Sequence, residues 1–291
     1  MAVDIKIYKC QIQGAGTITP EIAEKLDLVF PDAYIKSEYL QKVAKYLQTE
    51  HGYPYAHLPL CHTIEADAMG AIINCGDANF GPRAGGYAIS DAEQILELKD
   101  IDFTQGRIKE CLDACQQMVK EGTPVMFDIS GPFNILSPLM DLKIVFKAFR
   151  KRQDIIQHLY AYLERNLLAF IQELLNVGVS IISYADSAGC VSILGPDMTE
   201  KVTREFVHPF LKKAEELCKG KALLSLCPKT TYALLGCELA EWGEAKVGEG
   251  NMNYQQALLA AVGKAAVMGE ACIKDEIYVV NDGVVKTVVI K

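Results

Sequence analysis

No stretch of this 291-residue sequence approaches the roughly 18 uninterrupted apolar residues of a membrane span. Its most apolar region, residues 167–184, is broken by Gln172, Glu173 and Asn176. Lysine and arginine do not cluster among aromatics, and a net charge of −8 argues against a phosphate-backbone partner, so nucleic acid and membrane are both excluded as expected partners. No low-complexity tract, strict repeat or break in composition marks a linker. The first 14 residues lack a long apolar core and a small-residue cleavage site, so no signal peptide is expected. A cytoplasmic chain follows, whose ten cysteines stay reduced and serve mostly as small packing residues rather than disulfides.

Half of the residues are hydrophobic and 23% are charged, the balance of a packed globular protein. Residues 21–28 and 36–47 carry apolar positions at helical spacing, which predicts a helical cover over residues 1–50. Residues 124–128 form a short apolar run that ends in the turn signal Ser130-Gly131-Pro132. A long helix over 153–175 follows, with Ile156, Leu159, Leu163, Leu167, Ile171 and Leu174 on one stripe, closed by Gly178. Residues 179–184 read as a strand buried on both faces. A helix over 199–218, a strand over 222–226 and late strands over 265–268 and 284–290 complete the pattern. Strand, polar turn, helix, strand predicts right-handed βαβ units in a single domain over 1–291, with a (β/α)8 TIM-type barrel preferred over a doubly wound open sheet.

In such a barrel the chemistry sits where strands end. Four ends stand out: the segment Cys61-His62-Thr63-Ile64-Glu65, Asp128 before Gly131-Pro132-Phe133, Tyr184-Ala185-Asp186-Ser187, and Ser225-Leu226-Cys227. A carboxylate after the apolar run 179–184 is costly to bury unpaired, so Asp186 is a candidate for orienting a ligand or acting as a general base. Glu65 and His62 are the other catalytic candidates, and Asp128 and Ser187 are candidates for cofactor binding. The bland alternatives are a first-turn acid for Glu65, a backbone-satisfied histidine for His62, a turn brace for Asp128 and a cap of the next loop for Asp186. Residues 81–86 resemble a phosphate-binding loop but lack its strand-to-helix context, and read as a surface loop. Cys111 and Cys115, four apart on one helix face, read as packing.

Gly131-Pro132-Phe133 with Ile135-Leu136, the long helix, Gly178 and then Tyr184-Ala185-Asp186-Ser187 resemble the central part of the uroporphyrinogen decarboxylase superfamily. His208-Pro209 resembles the helix that follows there, and Glu65-Ala66-Asp67-Ala68-Met69-Gly70 is similar to a segment of its methylcobamide:coenzyme M methyltransferase branch. The resemblance runs from about residue 55 to about residue 235. It implies a barrel that takes a methyl group from methylcobamide, free or on a corrinoid protein, and passes it to a thiol or other small acceptor. The decarboxylase branch implies an N-terminal arginine-rich segment and an aspartate; residues 1–50 contain no arginine, and Cys61 falls where that aspartate would. The methyltransferase branch implies a zinc held by a His-x-Cys pair and a later cysteine, so that the bound thiol is deprotonated. Cys227 matches and Cys272 is a candidate for the later ligand, whereas Ser225 stands at the histidine position. Cys237 is a further candidate, expected instead on an intervening helix, and Cys61, His62 or Glu65 could complete a rearranged site. The alternatives are a decarboxylase acting on another carboxylated compound and a catalytically silent corrinoid-binding homologue.

Overall fold

A computed structural model describes residues 4–9 and 18–291, so residues 1–3 and 10–17 of the expected helical cover lie outside the described part. The central sheet has seven strands: β1 (Ala56–Leu58), β2 (Val125–Ser130), β3 (Ile181–Ala185), β4 (Leu223–Leu226), β5 (Ala240–Lys246), β6 (Val267–Met268) and β7 (Val284–Ile290). Their spatial order is β1-β2-β3-β4-β6-β7-β5. From β1 through β4 to β6 every pairing is parallel, while β7 runs antiparallel to both β6 and β5. The parallel strands advance in one direction without the reversal of order that defines a doubly wound sheet. The fold is therefore α/β, with a mostly parallel sheet wound in one sense.

The helices that matter for the site are α1 (Ser37–His51), α2 (Ile64–Ala68), α3 (Gly106–Lys120), α4 (Pro132–Leu139), α5 (Gln153–Asn176), α6 (His208–Cys218) and α7 (Pro228–Gly236). The expected stripe on α5 is buried from Ile156 to Leu174, and Phe170 beneath it meets Phe127 of β2 edge to face at 5.3 Å. The helix expected over 199–218 is divided: Pro196–Val202 and α6 are joined by a π turn at Thr203–Val207. Pro209 has no N–H to donate and its ring crowds the carbonyl four residues back, which accounts for the widened turn. Cys111 and Cys115 are buried on α3, as packing requires. Among the described residues no helix is long and apolar enough to cross a membrane.

Register sorts the inner residues into two layers. Met126, Ile181 and Leu223 lie side by side across β2, β3 and β4, and two residues further on Asp128, Ser183 and Ser225 do the same. Side chains two apart share a face of a strand, so an apolar row is topped by a polar row nearer the carboxyl ends. His57 of β1 is in register with Met126 and thus shares that face.

Candidate active site

Of the polar row, Asp128 faces a cavity of ≈ 380 Å³ at the ends of β1 and β2, whose wall also includes Tyr55, His57, Cys61, His62 and Lys274. Asp128 is 3% exposed, and its Oδ2 lies 3.3 Å from His57 Nε2. The two are in close contact without an aligned hydrogen bond, since His57 Nε2 has no hydrogen-bond partner among the described residues. Burial pushes the Asp128 carboxyl up, but His57 beside it, with His62 and the Ser183 hydroxyl, overcomes that and holds it at about 2. Asp128 is thus a carboxylate at neutral pH, and its other oxygen, Oδ1, is buried with no partner among the described residues. The Tyr55 hydroxyl on the same wall is in the same condition. His62 has exposed surface yet is crowded by protein; burial lowers its pKa, against the pull of Asp128.

Glu65 enters from α2, fully buried, and its Oε1 accepts the Ser130 N–H at 2.7 Å. That bond ties the first turn of α2 to the end of β2. Oε2 has no partner among the described residues, and burial pushes the carboxyl up. Glu65 senses the Asp128 carboxyl and Asp128 senses His62, so the structure brings Glu65, His62 and Asp128 into one region.

Asp186 and Ser187 belong to a second cluster. Asp186 Oδ2 accepts the Phe133 N–H at 3.1 Å and Oδ1 accepts the Asn134 N–H at 2.9 Å, so both oxygens cap the first turn of α4. Asn134 reciprocates: its Nδ2 donates to the Ala185 carbonyl, and its Oδ1 accepts from the Ser187 hydroxyl and the Ala188 N–H. Burial raises Asp186 to about 6 against the pull of those N–H groups. Gly131 is required at this junction because a Cβ there would meet Asp186 and stand 2.6 Å from the Tyr184 hydroxyl.

Cys227 follows β4 at the N-terminus of α7, where its N–H bonds the Tyr184 carbonyl at 2.9 Å. Cys272 lies near Tyr53 and Tyr55. Cys237 is buried at the end of α7. Among the described residues no three His, Cys, Asp or Glu side chains converge so as to hold a metal ion, and Ser225 is buried with its hydroxyl unpartnered. These residues do not make the three-ligand set that the zinc expectation needs. Residues 81–86 are more than a surface loop: Arg83–Ala84 pairs antiparallel with Ile73–Asn74, and Gly81 and Pro82 line the cavity.

Sequence reasoning passed over His57, Tyr55 and Arg107. A histidine inside the apolar run that forms β1 was a usable signal, as a polar group in a buried strand needs a partner. Arg107 gave none, because its partners Tyr34, Cys61, Thr63 and Asp67 stand 40 to 73 residues earlier in the chain.

Residues 10–269 match the family described as Uroporphyrinogen decarboxylase (URO-D). The methylcobamide:CoM methyltransferase MtaA of Methanosarcina barkeri is 22% identical over 253 residues, covering 84% of this chain and 72% of the relative. The methylcobamide:CoM methyltransferase MtbA of Methanosarcina mazei is 24% identical over 224 residues, or 75% of this chain and 65% of the relative. A solved methyltransferase from Methanosarcina mazei has a TM-score of 0.63 at 22% identity, covering 76% of this chain and 65% of its own. That likeness establishes the shared fold.

Proposed function

Because the chain belongs to the uroporphyrinogen decarboxylase family, we propose that it is a corrinoid-linked methyltransferase-like enzyme with one (β/α)8-type barrel domain over residues 1–291. The single-sense parallel sheet and the layered inner face support the barrel reading. Methylcobamide, free or on a corrinoid protein, supplies the methyl group as donor substrate, and a small acceptor occupies the ≈ 380 Å³ cavity. The observation that carries the proposal is the buried Asp128 oxygen without a partner on the cavity wall, placed to bind a donor group of the acceptor.

His62, whose pKa burial lowers, accepts the proton that the acceptor loses as its sulfur or nitrogen becomes nucleophilic. Asp128 holds the acceptor by its free oxygen, and Glu65 fixes α2, and with it His62, against the end of β2. Asp186 and Ser187 hold the loop after β3 to the first turn of α4. No step is routed through zinc. Zinc analysis of the purified protein, with Cys227→Ala as control, checks the separate expectation that Cys227 and Cys272 bind it; equal absence in both samples removes that expectation.

The function is tested by mixing the chain with methylcobalamin and coenzyme M, or a folate acceptor, and following the cobalamin spectrum. Acceptor-dependent demethylation is expected, slowed about tenfold or more in His62→Gln. Spectral change on binding without methyl transfer identifies a silent corrinoid-binding homologue. Carbon dioxide release from uroporphyrinogen in place of methyl transfer overturns the proposal for the decarboxylase alternative.

A further inference from the structure

The cavity wall carries a thiol whose surroundings differ from those of its neighbours. Burial pushes the Cys75, Cys111, Cys115, Cys218 and Cys237 thiols up, which disfavours their reactive anionic forms. Cys61 is half-buried and lines the cavity. Arg107 Nη2 donates to its Sγ at 3.0 Å, and Thr63 Oγ1 lies 3.3 Å from the same sulfur. The Thr63 oxygen also accepts from Arg107 Nη1 at 3.1 Å, and its hydroxyl hydrogen can be directed at Cys61. Arg107 is 6% exposed and is fixed by the Tyr34 carbonyl at 3.3 Å and Asp67 at 3.4 Å, so the cation cannot swing away. A buried guanidinium and a hydroxyl thus converge on one sulfur on the cavity wall.

The space in front of this sulfur has the features of a ligand site. Asp128, 3% exposed, and Tyr55, wholly buried, each present an oxygen with no partner among the described residues, and both line the same cavity as Cys61. We propose that Cys61 is a nucleophilic thiol that captures small, soft carbon electrophiles entering the cavity. Its sulfur forms a bond to carbon as the bond from carbon to the leaving group breaks. The electron pair departs with the leaving group, and the thiol proton passes to solvent. Arg107 and Thr63 are positioning residues in this step. The inference goes beyond methyl transfer and needs no cobamide, so failure of either reading leaves the other standing.

Iodoacetamide is the probe: the native chain is alkylated with limiting reagent, and each cysteine is followed by peptide mass spectrometry. Cys61 is expected to react about tenfold or more faster than half-buried Cys75. Thr63→Val, which keeps the shape and removes the hydroxyl, should slow Cys61 about threefold and leave Cys75 unchanged. Arg107→Lys should slow it further; if that chain does not fold, Thr63→Val carries the test. Equal rates at Cys61 and Cys75 in the native chain, or a Thr63→Val rate equal to the native one, overturn the inference.

Discussion

Replacing Asp186 with asparagine separates what its carboxylate does as a cap from what its burial costs. The native side chain accepts the N–H groups of Phe133 and Asn134, whereas an amide of the same shape has one acceptor oxygen for two donors. Relative to the ionised carboxylate, that loss costs about 1–3 kcal/mol. The ionisation cost depends on pH. Asp186 titrates at about 6 in the folded chain against an ordinary 3.8. Between those values the folded state keeps a proton that the unfolded state has lost, so rising pH favours unfolding. Below 3.8 both states are protonated and above about 6 both are ionised, so the effect is confined to that window. Its size is about 3 kcal/mol, from the ~1.4 kcal/mol that each pH unit represents. Asparagine does not titrate, and subtracting the two proteins cancels the other ionisable groups. The stability advantage of the native chain over Asp186→Asn should therefore shrink by about 3 kcal/mol between pH 3.5 and pH 7. Urea unfolding of both proteins across that range measures it. A difference that stays flat, or grows with pH, refutes the account of Asp186 as a buried carboxylate held by backbone donors.

Asp128 should behave with the opposite sign. Held at about 2, it contributes stability above its ordinary 3.8 that is lost as pH falls through about 2. Asp128→Asn should cost about 2 kcal/mol at neutral pH and flatten the acid limb of the unfolding curve. Glu65→Ala leaves the buried Ser130 N–H without an acceptor and should cost about 2–4 kcal/mol in urea unfolding, whereas Glu65→Gln keeps the bond and should stay within about 1 kcal/mol of the native chain. Gly131→Ala places a Cβ against Asp186 and the Tyr184 hydroxyl and should cost about 2 kcal/mol or more in thermal unfolding. Gly81→Ala, where the nearest atom stands 3.6 Å away, should be close to neutral and serves as its control.

The strands most legible in the sequence are those with continuous apolar character. Residues 124–128, 179–184 and 222–226 announce β2, β3 and β4 within a residue or two, because strands covered on both faces need such runs. The last strand, Val284–Ile290, is found at the expected bounds. Its partner β5, Ala240–Lys246, was not legible: it is an edge strand with mostly exposed side chains, including Glu241, Glu244 and Lys246, and owes its form to the ladder with β7. The direction of β7 was equally hidden, since side-chain alternation is the same for parallel and antiparallel neighbours.

Local chemistry fixed the candidates at the strand ends, because a polar residue that closes an apolar run needs a partner or a purpose wherever the chain goes. Glu65, Asp128 and Asp186 are all buried polar groups, as that reasoning demands. What each carboxylate meets was decided in three dimensions. Asp186 found two backbone donors at the start of α4, Glu65 found the Ser130 N–H, and Asp128 found His57 from a strand about 70 residues earlier. Cys61, unremarkable by its spacing, acquired a buried guanidinium from α3. Burial and polarity are properties of a residue and its near neighbours. Partnership depends on register and helix packing across the chain, and only the tertiary structure determines it.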